Sequence, residues 1–377
     1  MKKTKIKIAF VKFGGLAAGG TEKYLQTLAC NLPKDRFEID YYYTDGVPLI
    51  GNNWKHPDTD SERKKYMCDH NINLIHVDCR ARYDVDGAPY PWMDHDFFKL
   101  FDAEKYDIVQ TGRGGYKEYP FCEMSDSYFV DSIHSCGDQG VEKRDNILKT
   151  VLISDIQKQQ WIKNGGDPDK VEVIPTLVEF PPKERSTLRE ELDIPQDAFV
   201  FGMHQRNCEN IFSHIPLTAY SMIEGEKNYY VLLGGAEKYR AQAQQLGLTN
   251  IKFLDFISDV GKINNFVSGI DAFAHGRYDG EVCSAAIIEA LRHGKPIITH
   301  PGINMGHLEQ VEDCGIMAHG LNQYVSGMLL YQSDSETYKT ISKNCINKFE
   351  NKYSLKANID KYIKIYEEVH EFLGENH

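Results

Sequence analysis

The chain has 377 residues, 41% hydrophobic and 26% charged, a balance that excludes a disordered protein and suits two domains of ordinary size. A formal charge of -12 argues against a nucleic-acid partner, since neutralising phosphates takes clustered Lys and Arg. The nine cysteines are odd in number, scattered and never spaced C-x-x-C, which reads as reduced thiols in a cytoplasmic protein and not as a disulfide frame or zinc site.

The basic start Met1 to Lys5 precedes an apolar run, Ile8 to Val11, too short for a signal peptide, and no stretch approaches the roughly 20 apolar residues of a membrane span. Arg63-Lys64-Lys65 is flanked by acids and reads as a solvated face, leaving only peripheral membrane contact open.

In chain order, Ile6 to Val11 reads as a buried strand and Thr21 as the N-cap of a helix that Pro33 stops. Strands follow at Phe37 to Tyr43, Asn73 to Val77, Asp107 to Gln110, Phe129 to Ile133 and Thr150 to Ile153. A helix over Ile156 to Asn164 then precedes a strand at Val171 to Pro175. Short apolar strands alternating with helices predict a parallel α/β sheet. Glu179 to Arg185 is polar with two prolines and reads as a linker. After it the alternation restarts: strand Ala198 to Met203, helix Ile215 to Ile223, strand Tyr229 to Leu233, helix Ala241 to Leu246, strands Ile251 to Leu254 and Asp271 to Ala274, a helix after Ser284 and strand Pro296 to Thr299. The tail, Leu355 to Phe372, is an amphipathic helix.

The stretch His275 to Pro296 carries the most chemistry. It reads as strand end, glycine-containing loop, Ser284 as N-cap, helix, and Gly294 as stop. Such a loop aims backbone N–H groups and the positive end of the helix dipole at an anion. Glu289, on the second turn, lies about 7–8 Å along the axis from the N-cap at 1.5 Å per residue. That matches the span from a phosphate to ribose hydroxyls, with Glu281 in the loop near a sugar.

Glu281 and Glu289, with seven residues between them, together with Gly280, Ala290-Leu291 and Gly294-Lys295-Pro296, resemble the GT-B fold retaining glycosyltransferases of family 4, glycosyl transferases group 1. The likeness runs along nearly the whole chain, through Gly19-Gly20-Thr21-Glu22, Val173-Ile174-Pro175, Phe201-Gly202 and Gly234-Gly235. It implies two Rossmann-like parallel-sheet domains facing a central cleft. Residues 1–178 would take the acceptor, 179–354 the nucleotide-sugar donor, and the helix at about 355–377 would pack back on the first.

The resemblance further implies transfer of a hexose to an acceptor hydroxyl with retained configuration, without metal or other cofactor, the leaving diphosphate assisting. Arg206 matches the arginine that holds the diphosphate, and His134 the histidine near the donor sugar; with Glu281 these are the expected catalytic residues. Donor contacts are expected from Gly19, Gly20, Arg206, Arg277, Gly280, Glu281, Val282, Cys283, Ser284 and Glu289.

Two departures bear on the site. The family's lysine five residues after the arginine is missing, with Arg277, His204 and His214 as candidate substitutes, and its Gly-Phe-Gly is Val282-Cys283-Ser284. UDP-glucose is the expected donor, GDP-mannose the next. A nucleotide-sugar-binding protein with little catalysis and a sugar-nucleotide epimerase on the same fold remain alternatives. Asp84-Val85-Asp86, Asp94-His95-Asp96 and Asp167-Pro168-Asp169 read as loop and cap aspartates, with no metal site expected. The aromatic stretch Tyr83 to Phe98 either packs over the first sheet or lines the acceptor site.

Overall fold

The computed structural model describes residues 5–12, 16, 20–44, 57–80, 94–115, 117, 120–135 and 141–376. Met1 to Thr4, Gly19, Asp84 to Asp86 and most of the Tyr83 to Phe98 stretch lie outside them. The chain divides into two compact units, Met1–Leu177 with Lys356–His377, and Val178–Leu355.

In the first unit β1 (Ile6–Lys12), α1 (Gly20–Asn31), β2 (Phe37–Tyr43), α2 (Pro57–Asp69) and β3 (Asn73–His76) alternate. A two-residue ribbon, β4 (Cys79–Arg80) with β5 (Asp94–His95), and α3 (Phe97–Leu100) precede β6 (Ile108–Arg113), β7 (Phe129–Ile133), β8 (Ile147–Leu152), α4 (Asp155–Lys163) and β9 (Val171–Val173). The main sheet runs β3-β2-β1-β6-β7-β8-β9, all parallel, with Ile8 opposite Ile108. Its central strands β6 and β7 are buried along their whole length, as a sheet covered on both sides requires, and carry buried polar residues such as Gln110, Asp131 and Ser132. Helix α1 opens at Gly20, so Thr21 sits in the first turn and is not the expected N-cap.

The second unit opens with α5 (Leu188–Glu191), β10 (Phe199–Gln205), α6 (Ile215–Ser221), β11 (Asn228–Gly234), α7 (Lys238–Leu246), β12 (Ile251–Leu254), α8 (Val260–Gly269) and β13 (Ala272–Ala274). It continues through α9 (Ala285–Arg292), β14 (Ile297–Thr299), α10 (His307–Val311), β15 (Gly315–Met317), α11 (Leu321–Ser333) and α12 (Ser335–Lys348). The sheet order β12-β11-β10-β13-β14-β15 is parallel throughout and is the doubly wound order 3-2-1-4-5-6. That order reverses between β10 and β13, where Phe201 pairs with Ala272. Loops leaving the C-terminal ends of these two strands therefore diverge and open the crevice in which such sheets take ligands.

The polar segment before α5 is not a free linker. Phe180 packs edge-on against Phe349 at 5.4 Å, Arg292 lies 4.4 Å over the Phe180 ring, and its guanidinium donates to Pro181 O at 2.6 Å. The last helix, α13 (Leu355–Asn376), counts with the first unit from Lys356 onward. Tyr362 and Tyr366 on it are fully buried, and Tyr366 Oη donates to Gln110 Oε1 on β6 at 2.7 Å. No helix among the described residues is long and apolar enough to cross a membrane.

Candidate functional site

In the second unit the expected donor residues converge on the C-terminal ends of β10 and β13. Ser284 caps α9, its Oγ accepting from Ile287 N at 3.3 Å and donating to Glu281 Oε1 at 2.7 Å. The amides of Val282, Ala285 and Ala286 find no acceptor among the described residues. Three free N–H groups at the positive end of a helix form an anion-binding concavity.

Glu281 is saturated with partners. Oε1 also takes a hydrogen bond from His275 Nε2 at 2.9 Å, and Oε2 lies 3.5 Å from Arg277. Burial would raise this carboxyl, but His275, Arg277 and Ser284 overcome it and hold it down to about 2. Burial likewise pushes His275 down to about 4, outweighing the Glu281 hydrogen bond. The imidazole is therefore uncharged near pH 7, donating Nε2–H to Glu281 and taking the Thr299 hydroxyl at Nδ1, 2.8 Å away. His275 was not singled out in the sequence; only its place at a strand end hinted at it.

A second loop braces the first. Gly280 has φ +63°, and a Cβ there would collide with the Asn304 carbonyl, so only glycine permits this approach. Asn304 donates to Asp279 O through both its backbone N (2.8 Å) and Nδ2 (3.0 Å). His307 N donates to Glu281 O at 2.9 Å, and Gln310 pairs with both backbone polar groups of Ser284 at 2.7 and 3.0 Å. Nothing in the sequence marked these residues, because their partners lie some 25 residues away.

Glu289 lies on α9 with Oε2 2.6 Å from His204 Nε2, yet neither atom is aligned for a hydrogen bond with any partner. Arg206 is exposed just after β10 and makes no hydrogen bond or ion pair among the described residues. It is thus an uncommitted cation beside the free amides' strand ends. Arg277 differs: it is spent within its own loop, on Asp279 (2.9 and 2.6 Å) and Glu281. His214 is exposed, and the position five residues after Arg206 is the buried Ile211. A shallow polar cavity lined by Arg189, Asp197, Phe199, Lys227 and Asp271 opens at the N-terminal ends of the same strands. That is the end where such sheets do not take ligands, and its Arg189 is already bound to Asp271 at 2.7 Å.

In the first unit Gly20 begins α1 with open space where a Cβ would stand, and Glu22 pairs with Lys12 at 3.5 Å. His134 follows β7, half-buried, its ring edge-on to Tyr24 at 4.5 Å and Nε2 3.2 Å from Ser132 Oγ. Burial, with Lys12 adding to it, drives the imidazole down to about 3, so it too is uncharged near neutrality.

Residues 184–364 match the model of the glycosyl transferases group 1 family. The chain carries a glycosyl transferases group 1 domain. With two doubly wound parallel sheets, it is a glycosyltransferase of the GT-B fold. Solved structures agree on the fold. Anabaena HepE, crystallised with UDP and glucose, is 17% identical, with 96% of this chain and 100% of that one covered and a TM-score of 0.70. A Rickettsia africae glycosyltransferase is 17% identical over 97% and 99% of the two chains, TM-score 0.72. Sucrose-phosphate synthase from Thermosynechococcus elongatus is 15% identical over 97% and 99%, TM-score 0.70. No curated protein shows significant sequence similarity to the chain.

Proposed function

We propose that this glycosyltransferase moves a hexose from a nucleoside-diphosphate sugar, UDP-glucose first among candidates, to an acceptor hydroxyl with retention of configuration and without metal. The observation that carries the reading is the pairing of unpartnered amides at Val282, Ala285 and Ala286 with the uncommitted Arg206 at the doubly wound sheet's reversal. A diphosphate fits both: N–H groups for one phosphate, a planar guanidinium for two oxygens of the other. Glu289 would receive the ribose diol, which would replace the misaligned contact to His204 with real hydrogen bonds. UDP-glucose is favoured because HepE was solved with UDP and glucose.

In the reaction the bond from the anomeric carbon to the diphosphate breaks and a bond to the acceptor oxygen forms on the same face. The acceptor's proton passes to the leaving phosphate, whose growing charge Arg206 and the amides stabilise. Glu281, held down to about 2 and accepting two hydrogen bonds, is suited to fixing the sugar and loop and not to taking a proton. The donor and acceptor domains are taken as residues 179–354 and 1–178, and the site of action as the cytoplasm, in keeping with seven free described cysteines.

Glu289→Ala should weaken UDP binding, and Glu281→Ala chiefly lower turnover of UDP-glucose; undiminished transfer in both variants would sink the assignment. Ile211 in the place of a second phosphate cation favours an alternative, a nucleotide-sugar-binding protein with little catalysis. Tight UDP-glucose binding without any release of UDP would support it.

A further inference from the structure

A chain of buried hydroxyls and one amide runs from the terminal helix to His134. Tyr366 Oη on α13 donates to Gln110 Oε1 at 2.7 Å, and Gln110 Nε2 donates to Thr111 O at 2.7 Å. Ser132 Oγ lies 2.8 Å from the same Thr111 carbonyl and 3.2 Å from His134 Nε2. Tyr362 Oη, one turn before Tyr366, sits 2.9 Å from Tyr24 Oη, and Tyr24 presents its ring edge-on to His134. Tyr24, Gln110, Thr111, Ser132, Tyr362 and Tyr366 are each 1% exposed or less.

The geometry favours one proton arrangement. Thr111 O, at 2.8 Å, is the nearest acceptor for the single Ser132 hydroxyl proton, closer than His134 Nε2 at 3.2 Å, and Gln110 Nε2 donates to Ser132 Oγ at 3.4 Å. What Ser132 Oγ offers His134 is then a lone pair, and Nε2 must carry the imidazole proton. Nδ1 has no hydrogen-bond partner among the described residues. We propose that Ser132 and Tyr24, the latter held by Tyr362 of the terminal helix, are positioning residues that lock His134 as the Nε2–H tautomer. The ring can then serve a ligand only as a hydrogen-bond acceptor at Nδ1.

The low proton affinity of this imidazole fits the same assignment, since a charged ring would donate from both nitrogens. Ser132 and Tyr362 carry no sequence signal for this task. They occupy a strand interior and the apolar face of a helix, where a polar group reads as incidental. The consequence for sugar transfer rests on the proposed glycosyl transfer and on the family resemblance, which implies that His134 meets the donor sugar, its Nδ1 then accepting from a sugar hydroxyl.

The test is nitrogen NMR of the full chain labelled at histidine, with His134→Gln used to assign the signal. The expected spectrum has a protonated Nε2 and an unprotonated Nδ1 from pH 5 to 8. In Ser132→Ala the Nδ1–H form appears at an equal or greater share, and UDP release from UDP-glucose falls on the order of 10- to 100-fold with little change in donor KM. Tyr362→Phe, which keeps the packing, is expected to broaden the His134 signal and lower UDP release less. Ser132→Thr, retaining the hydroxyl, restores the tautomer.

A wild-type ring protonated at Nδ1, or charged near neutrality, overturns the assignment, as does an unchanged tautomer in Ser132→Ala. Adding UDP-glucose is expected to move the Nδ1 resonance, whereas UDP alone leaves it in place. If UDP-glucose leaves Nδ1 unmoved while the tautomer stays locked, the sugar contact fails and the positioning network stands.

Discussion

Replacing Ser284 by Ala tests the packing of the loop that leads into α9. The hydroxyl accepts from Ile287 N as the α9 cap and donates to Glu281 Oε1 at 2.7 Å, and the residue is fully buried. Losing an N-cap costs about 1 kcal/mol. Losing a hydrogen bond to an ionised carboxylate costs about 1.5–3 kcal/mol. The Gln310 contacts are made by the Ser284 backbone and survive the change. The variant is thus expected to be less stable by about 2.5–4 kcal/mol, a fall of roughly 5–16 °C in Tm for a unit of this size. Calorimetry is the assay, because all three tryptophans, Trp54, Trp92 and Trp161, precede the second unit and fluorescence would miss it. Combined with Glu281→Gln in a double-mutant cycle, the pair should show a coupling above about 1 kcal/mol. A loss under about 1 kcal/mol that adds to the Glu281→Gln effect would refute the shared-proton geometry.

His275 gives the second unit an acid limb. Its folded-state value, about 4, lies below the ordinary 6.5, so the unfolded chain takes up the proton first. The stabilisation is full above pH 6.5 and is lost as pH falls toward 4, at up to about 1.4 kcal/mol per unit. His275→Gln should flatten that slope in urea unfolding at pH 7, 6 and 5, and an unchanged slope would argue against a neutral buried imidazole. Gly280→Ala should cost at least about 2 kcal/mol, from left-handed strain and the Asn304 collision, and should abolish UDP binding in a titration. Arg206→Ala should leave stability within about 0.5 kcal/mol, since the side chain has no partner, yet weaken UDP binding roughly 10- to 100-fold. Arg277→Ala should do the reverse in emphasis, lowering Tm because it unpairs Asp279 and removes the cation beside Glu281 Oε2.

What the sequence disclosed here was local. Serine before an apolar helical run, glycine after it, one glutamate in the loop and another on the second helical turn are all properties of one segment, and that segment folds as its spacing says. The strands Phe37–Tyr43, Phe129–Ile133 and Ile251–Leu254 appear where their apolar runs stand. Between Thr299 and Leu355 no element is predicted from the sequence, although α10, β15, α11 and α12 lie there. β15 has three residues and α10 five, too few to show a period. Arg277 shows the limit for chemistry. Its residue type suits a phosphate, but Asp279 two positions on takes the guanidinium in a two-point grip. Only coordinates decide between the two partners.

That distinction between committed and uncommitted charge bears on what the two glutamates can do. Glu281 accepts from His275 and Ser284 on one oxygen and faces Arg277 with the other, so its charge is spent before any ligand arrives. A carboxylate so stabilised is a weak base and a weak nucleophile, because attack or protonation would forfeit those contacts. Glu289 is the opposite case, with an oxygen that no donor satisfies despite a histidine 2.6 Å away. Binding that supplies two hydroxyls to Glu289 relieves an existing deficit, whereas binding at Glu281 competes with bonds already made. The free energy of nucleotide binding should therefore concentrate on Glu289 and Arg206. Glu281 should matter most where the loop must hold its shape, while charge moves onto the leaving phosphate.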